Sequence, residues 1–335
     1  MWSSGRRVGA NVVRLHLDLL RRALDKLGEE GFDPVYVLTS AAEVEQAAVE
    51  RAPLPADRRS ERGPFDVIGD VHGCIDELLT LLGRLGYALA WQPDAHGVPG
   101  VVARPSAGRK AVFVGDLGDR GPDTVAVLRL VMEMVRAGSA LCVLGNHDDK
   151  LLRKLHGREV RVSQGLAETL TQLDREPPEF RAEVRRFLDG LPTHYLLDGG
   201  RLVVAHAGLR EDLQGRVGGR VRAFALFGDT TGEKDEYGLP VRRDWAAEYH
   251  GHAAVIYGHT PVAEALWVNR TLNIDTGCAF GGKLTALRYP EKELVSVPAA
   301  RAYAPPNRPF LPEHQPAPEG RSGVSPGGAA VNSQG

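Results

Sequence analysis

Apolar residues recur at helical spacing over residues 9–28 (GANVVRLHLDLLRRALDKLG), which predicts an amphipathic helix. Residues 34–39 then read as a short buried strand, and residues 40–50 as a second helix. The proline- and charge-rich stretch ending near Pro64 predicts a linker. From Phe65 the pattern becomes apolar strand, glycine turn and helix. FDVIGDVHG leads into a helix through Leu85, AVFVGDLGDRGP into a helix to Arg136, and ALCVLGNHD into a basic helix to His156. Such alternation predicts βαβ units around a mostly parallel sheet. Residues 163–189 predict two more helices. Beyond Tyr195 the pattern is one of hairpins and short strands (YLLDGGRLVVAHAG, AAVIYGHTP, ALWVNRTLNIDTG, KLTALRYPEKELVSV), so a second sheet packs in. After Pro298 large apolar residues are few among Pro, Gly, Ser and Ala, which predicts a disordered tail. The expected organisation is a helix-strand-helix segment with linker at 1–62, an α/β domain at 63–298 and a tail at 299–335.

Composition narrows the class. Hydrophobic residues make up 43% and charged residues 25% of the 335 positions, enough apolar material for a sizeable core. With 41 Lys+Arg against 43 Asp+Glu, a protein that coats polyanions by bulk charge is excluded, although a local basic patch is not. No apolar run reaches the roughly 18 residues of a membrane span, and the N-terminus lacks the apolar core of a signal peptide, so a cytoplasmic protein is expected. Cys74, Cys142 and Cys278 lie far apart without a CxxC, which predicts buried small hydrophobes rather than disulfides or a thiolate zinc site.

The chemistry is concentrated at strand ends. Gly69-Asp70-Val71-His72-Gly73, Gly115-Asp116-Leu117-Gly118-Asp119-Arg120-Gly121 and Gly145-Asn146-His147-Asp148 each follow an apolar strand and open with a glycine that permits a sharp turn. His206 and His259 follow later strands in the same way. A single Asp or His at a strand end is usually a cap or turn residue. Five such turns in order point to one shared site at the carboxyl edge of a sheet. Asp70, His72, Asp116, Asn146, His206 and His259 form an oxygen and imidazole set without sulfur, suited to a pair of Mn²⁺-, Fe²⁺- or Zn²⁺-like ions.

These strings resemble the binuclear metallophosphoesterases, in the branch of protein serine/threonine phosphatases and diadenosine tetraphosphatases. The resemblance implies a calcineurin-like fold with two central mixed β-sheets flanked by helices. Longer strings, among them GPFDVIGDVHGCIDEL, GNHDDKLLRKLHG and IDTGCAFGGKLTALRYP, resemble the phosphatase module of the bacterial polynucleotide kinase-phosphatase family, and residues 9–62 its kinase-domain end. By that resemblance Asp70, His72 and Asp116 hold one metal, and Asp116 bridges to a second held by Asn146, His206 and His259. The ions are expected to be Mn²⁺, with Ni²⁺, Fe²⁺ or Zn²⁺ as the other candidates. Arg120 binds phosphate oxygens, His147 protonates the leaving oxygen, Asp119 supports His147, and Asp275 orients a ligand histidine. The implied activity is removal of 2′- or 3′-phosphates, or opening of 2′,3′-cyclic phosphates, at RNA or nucleotide ends. A separately encoded kinase or ligase is the expected partner. A protein serine/threonine phosphatase, a symmetrical dinucleoside tetraphosphate hydrolase and a scaffold subunit of an RNA repair complex are the alternatives.

Other signals are weaker. Gly277 to Lys283 fits GxxxxGK, but Leu284 replaces the Ser or Thr and LTALRY alternates as a strand, against a phosphate loop. Lys154-Leu155-His156-Gly157 sits in a basic helical stretch, where covalent nucleotidyl transfer lacks its surrounding domain. His250-Gly251-His252 reads as a loop, and Gly228 to Gly238 as a surface loop, for which the resemblance implies a rim over the substrate. Lys150, Arg153, Lys154, Arg158 and Arg161 form a basic helix face that could steer phosphate.

Overall fold

The structure, a computed structural model, describes residues 9–27, 36–50, 54–93, 97–105 and 108–306. Two N-terminal helices come first, α1 (Ala10–Leu27) and α2 (Ala41–Gln46), the second closed by a Ser40/Glu43 capping box. Residues 36–39 carry no strand; the rest of that expected strand lies outside the described residues. Next come β1 (Phe65–Ile68), α3 (Ile75–Arg84), β2 (Ala88–Pro93), β3 (Pro99–Arg104), β4 (Lys110–Phe113), α4 (Thr124–Arg136), β5 (Ala140–Cys142), α5 (Asn146–Leu155), α6 (Gln164–Asp174) and α7 (Pro178–Asp189). The second half holds β6 (His194–Leu197), β7 (Leu202–Ala205), α8 (Gly219–Phe227), β8 (Thr230–Lys234), β9 (Pro240–Arg242), β10 (Ala254–Tyr257), β11 (Trp267–Val268), β12 (Thr271–Asn273), β13 (Lys283–Tyr289) and β14 (Glu293–Pro298).

Two mixed sheets of five strands result, ordered β14-β13-β1-β4-β5 and β11-β12-β10-β7-β6. In the first, β1, β4 and β5 run parallel, while β13 and β14 close the other side antiparallel. In the second, β7, β10 and β12 are the parallel set. The period-2 alternation of each strand explains the layering. Phe65, Val67, Val112 and Val143 point from the first sheet to Leu202, Val204, Ile256 and Leu272 of the second. Ile68, Phe113 and Cys142 point the opposite way, onto the helices α3 to α7. On the far face of the second sheet, Val203, Ala205 and Val255 pack against α8 and the Trp245–Tyr249 segment. Each large aliphatic side chain buried in these layers contributes about 1.5–3 kcal/mol of transfer free energy.

The edges of the main domain differ from expectation. Residues 56–61, expected within a linker, are tied to the second sheet by Leu196 N–H to Ala56 O, Arg58 N–H to Leu196 O and Asp198 N–H to Glu61 O. At the other end, Tyr303 N–H donates to Ala279 O and its hydroxyl to Glu77, so the chain stays packed past Pro298; residues 307–335 of the expected tail lie outside the described residues. The exposed β2–β3 hairpin had no alternating sequence signal. The GxxxxGK string does feed strand β13 rather than a helix, and all three cysteines are free and buried. Among the described residues no helix is long and apolar enough to cross a membrane.

Candidate metal centre and active site

The carboxyl ends of β1, β4, β5, β7, β10 and β12 deliver Asp70, Asp116, Asn146, His206, His259 and Asp275 within a few residues of each strand. The backbone there is held in unusual conformations. Of the eight non-glycine residues with positive φ among those described, five are His72, Asp116, Asp119, Arg120 and His259. Such conformations cost about 1–3 kcal/mol each and persist only where surrounding structure enforces them. Glycine is required where loops touch. A Cβ on Gly145 would collide with the Asp116 amide and carboxylate, and one on Gly258 with the Asp70 carboxylate.

Two groups of donors share Asp116. The ligand atoms of Asp70, His72 and Asp116 all lie within 4.8 Å of one another, as do those of Asp116, His206 and His259. Asp116 Oδ2 is 3.5 Å from both His72 Nε2 and His206 Nε2. Asn146 Oδ1 completes the second group, 2.9 Å from His206 Nε2 and 2.7 Å from His259 Nδ1. His72 Nδ1 donates to Gly118 O and His206 Nδ1 to Val114 O, which leaves each Nε2 lone pair aimed at the cluster. Asp70, His72, Asp116 and His206 are buried, and Asn146 and His259 are half-buried. Burial, then the charges of Asp275 and Asp116, push the Asp70 carboxyl well up. Burial likewise drives His72, His259 and His206 down. Burial would raise Asp116 too, but His206, His147, His72 and Arg120 hold its carboxyl below the usual range. Buried carboxylates and converging lone pairs repel one another unless a cation lies between them, so the donor set fits two divalent ions.

Beside this cluster, Arg120 reaches both His72 Nε2 and, at 2.9 Å, His147 Nε2. Its guanidinium lies 4.8 Å above the Phe280 ring. His147 Nδ1 donates to Asp119 Oδ2 at 2.6 Å, and Thr169 from α6 fixes Asp119 by donating to Oδ1 at 2.7 Å. Asp275 is buried next to Asp70, but its carboxylate accepts from the Gly277 amide rather than from a histidine. Burial lifts it to about 6.

The structure adds three residues to those expected. Asp148 accepts from the Gly145 amide at the start of α5 and also from the Asp116 and Leu117 amides, and so ties two loops together. Thr169 and Arg242 carried no sequence signal. Arg242 Nη2 donates to His259 Nε2 at 2.7 Å, from β9, just past the segment expected as a surface loop. On α5, Lys150 and Arg153 are engaged by Ser163 and Asp149. His250 and His252 sit in a loop away from these donor groups.

A family model described as calcineurin-like phosphoesterase matches residues 63–263, and the chain belongs to that family. It is a metallophosphoesterase, of a family that uses divalent metals, with the α/β fold of mixed sheets and flanking helices that the sequence implied. Among its relatives, a bis(5′-nucleosyl)-tetraphosphatase PrpE [asymmetrical] of Anoxybacillus flavithermus (strain DSM 21510 / WK1) is 47% identical over 251 residues, which cover 73% of this chain and 99% of the relative. The PrpE of Bacillus subtilis (strain 168) is 45% identical over 243 residues, covering 71% and 96%. A crystal structure assigned as a diadenosine tetraphosphatase aligns with a TM-score of 0.53 at 26% identity, covering 73% of this chain and 97% of that one. These relatives overturn the expectation of RNA end healing and of a polynucleotide kinase-phosphatase, and nothing supports a kinase or ligase partner. The motifs that carried that expectation encode metal and phosphate chemistry common to the branch, whereas substrate choice lies in the walls around it. The scaffold alternative falls with it, since the chain is a phosphoester hydrolase.

Proposed function

We propose that this protein hydrolyses dinucleoside tetraphosphates, with asymmetrical cleavage as in the name its relatives carry, in place of the symmetrical reaction considered from sequence. The 47% identity to a PrpE tetraphosphatase across nearly the whole of that relative carries the reading. The site is compatible with it. Asp70, His72 and Asp116 would hold one cation, and Asp116, Asn146, His206 and His259 the other, with Mn²⁺ the leading candidate. Two cations there would polarise a phosphoryl oxygen and acidify water.

The chain's own residues supply the remainder. Arg120 offers a planar fork of donors to the non-bridging phosphate oxygens. His147 points Nε2 toward the same space while Asp119 holds its Nδ1–H, an arrangement suited to passing a proton to the departing oxygen. Asp148 ties the β4 and β5 loops together and Thr169 holds Asp119, while Asp275 lies buried beside Asp70.

The test is a panel of diadenosine tetraphosphate, a phosphopeptide and p-nitrophenyl phosphate with added Mn²⁺. The dinucleotide should be preferred, and His147→Ala should lower its kcat by about 10²–10⁴-fold. Preference for the phosphopeptide would refute the substrate, and unchanged turnover in the variant would refute the role of His147.

A further inference from the structure

Two cavities adjoin the site, one reaching the donor cluster at His259 and the other reaching Arg120. One, of about 450 Å³, is bounded by the β8–β9 hairpin and the chain from β10 to β12, and His259 forms part of its wall. The other, also about 450 Å³, lies beside Arg120, with Arg301 and Tyr303 in its lining. Both fall within the roughly 300–1,000 Å³ typical of small-ligand sites.

Their chemistry differs. The first presents apolar surface from Val262, Leu266 and Val268 and four carboxylates, Asp229, Asp235, Asp244 and Glu264, against two guanidinium groups, Arg242, which donates to His259, and Arg243, which is ion-paired with Asp229. Carboxylates repel a polyphosphate but accept hydrogen bonds, and a nucleoside brings a flat base for the apolar wall and hydroxyl and amine donors for the acids. The second cavity carries two guanidinium groups, Arg120 and Arg301, against one carboxylate, Glu168, so cations prevail there; Arg301 lies 5.2 Å from the Tyr303 ring. Guanidinium forks match phosphate oxygens.

His259 belongs both to the first cavity and to the donor cluster, so a nucleoside seated there brings its own 5′-phosphate to the cluster first. We infer that the cavity beside His259 takes one nucleoside of a dinucleoside polyphosphate, that its adjoining phosphate is the one attacked, and that the remaining phosphates run across Arg120 toward Arg301. This rests on the tetraphosphatase reading and adds an orientation to it. In the step, the oxygen of water bonds to the phosphorus next to the seated nucleoside, and the bond from that phosphorus to the bridging oxygen breaks. The bridging oxygen keeps the electron pair and departs with the nucleoside triphosphate. One proton of the water is passed to that oxygen or to solvent, and the other is released from the new monophosphate.

Hydrolysis of diadenosine tetraphosphate by the full chain in ¹⁸O-water, read by mass spectrometry, should place the label in AMP; label in ATP overturns the orientation. Leu266→Asp, at a side chain exposed enough to leave folding intact, should weaken AMP binding by calorimetry about tenfold. Arg301→Ala should lower the ratio of kcat/KM on the dinucleotide to that on p-nitrophenyl phosphate, also about tenfold. AMP affinity unaffected by Leu266→Asp in a chain that cleaves the dinucleotide overturns the cavity assignment alone, and an unaltered ratio in Arg301→Ala overturns the polyphosphate path. A wild-type chain that hydrolyses p-nitrophenyl phosphate but not the dinucleotide overturns the reading beneath both.

Discussion

Asp116 is where the electrostatics of the site converge. Its Oδ2 is equidistant from a histidine of each donor group, its Oδ1 accepts the His147 amide, and its backbone is held at φ 50°. Asp116→Asn keeps the shape but removes the shared charge. We expect metal analysis to show loss of at least one equivalent of Mn²⁺, and turnover to fall by about 10³-fold or more; a variant that retains two equivalents and wild-type turnover would exclude the bridging role. Gly258 tests geometry rather than charge. Its missing Cβ is what lets the β10 turn approach Asp70 and donate the His259 amide to that carboxylate, 3.1 Å away. Gly258→Ala should therefore impair metal binding and turnover in a protein whose circular dichroism is unaltered, and a fully active Gly258→Ala would show the loop has room.

At the scale of elements, the β4 and β5 loops are joined by Asp148 at the start of α5. Three buried amides, of Asp116, Leu117 and Gly145, depend on this one carboxylate. Burial and the neighbouring Asp116 push it up, to about 7, against the pull of those amides. Asp148→Ala strands the donors, and a loss of about 3 kcal/mol in urea-monitored stability is expected. A loss below 0.5 kcal/mol would mean that the loops hold together without it. The β8–β9 hairpin shows the opposite case, an exposed element that reaches the site through one side chain, Arg242. The alternation in its sequence is weak and its strands are short, so its reach to His259, across 17 residues, could not be read from local pattern.

For the molecule as a whole, one buried histidine away from the site links stability to pH. His194, on β6, accepts the Gly215 amide at Nε2, and burial holds it down, to about 4, from 6.5. The unfolded chain therefore takes up this proton first. The residue's contribution is full above pH 6.5 and is lost as pH falls from 6.5 to 4, a difference of about 3 kcal/mol. His194→Gln should flatten the fall in melting temperature over that window relative to wild type, and parallel curves would refute the assignment.

How much of this was legible in the sequence follows from the range of each interaction. The strand-glycine-acid turns are local, set by a few residues of apolar alternation and a backbone that must bend, so β1, β4 and β5 and the chemistry at their ends could be read directly. The same locality misled the substrate reading, because motifs that grip metal and phosphate are shared by enzymes with different walls. It also missed the packing of residues 56–61 and 299–304, whose hydrogen bonds go to strands and turns far along the chain.

By itself the sequence determined which donors exist, their sulfur-free character and the strand ends that present them. Only the tertiary structure decided their grouping: Asp116 between His72 and His206, Asp70 under an amide 189 residues distant, Arg242 on His259, and cavities at His259 and at Arg120. The reason is that a residue type and its turn obey short-range sterics, whereas which turns meet is set by the register of two packed sheets, and that is fixed only when the layers between them bury their apolar faces.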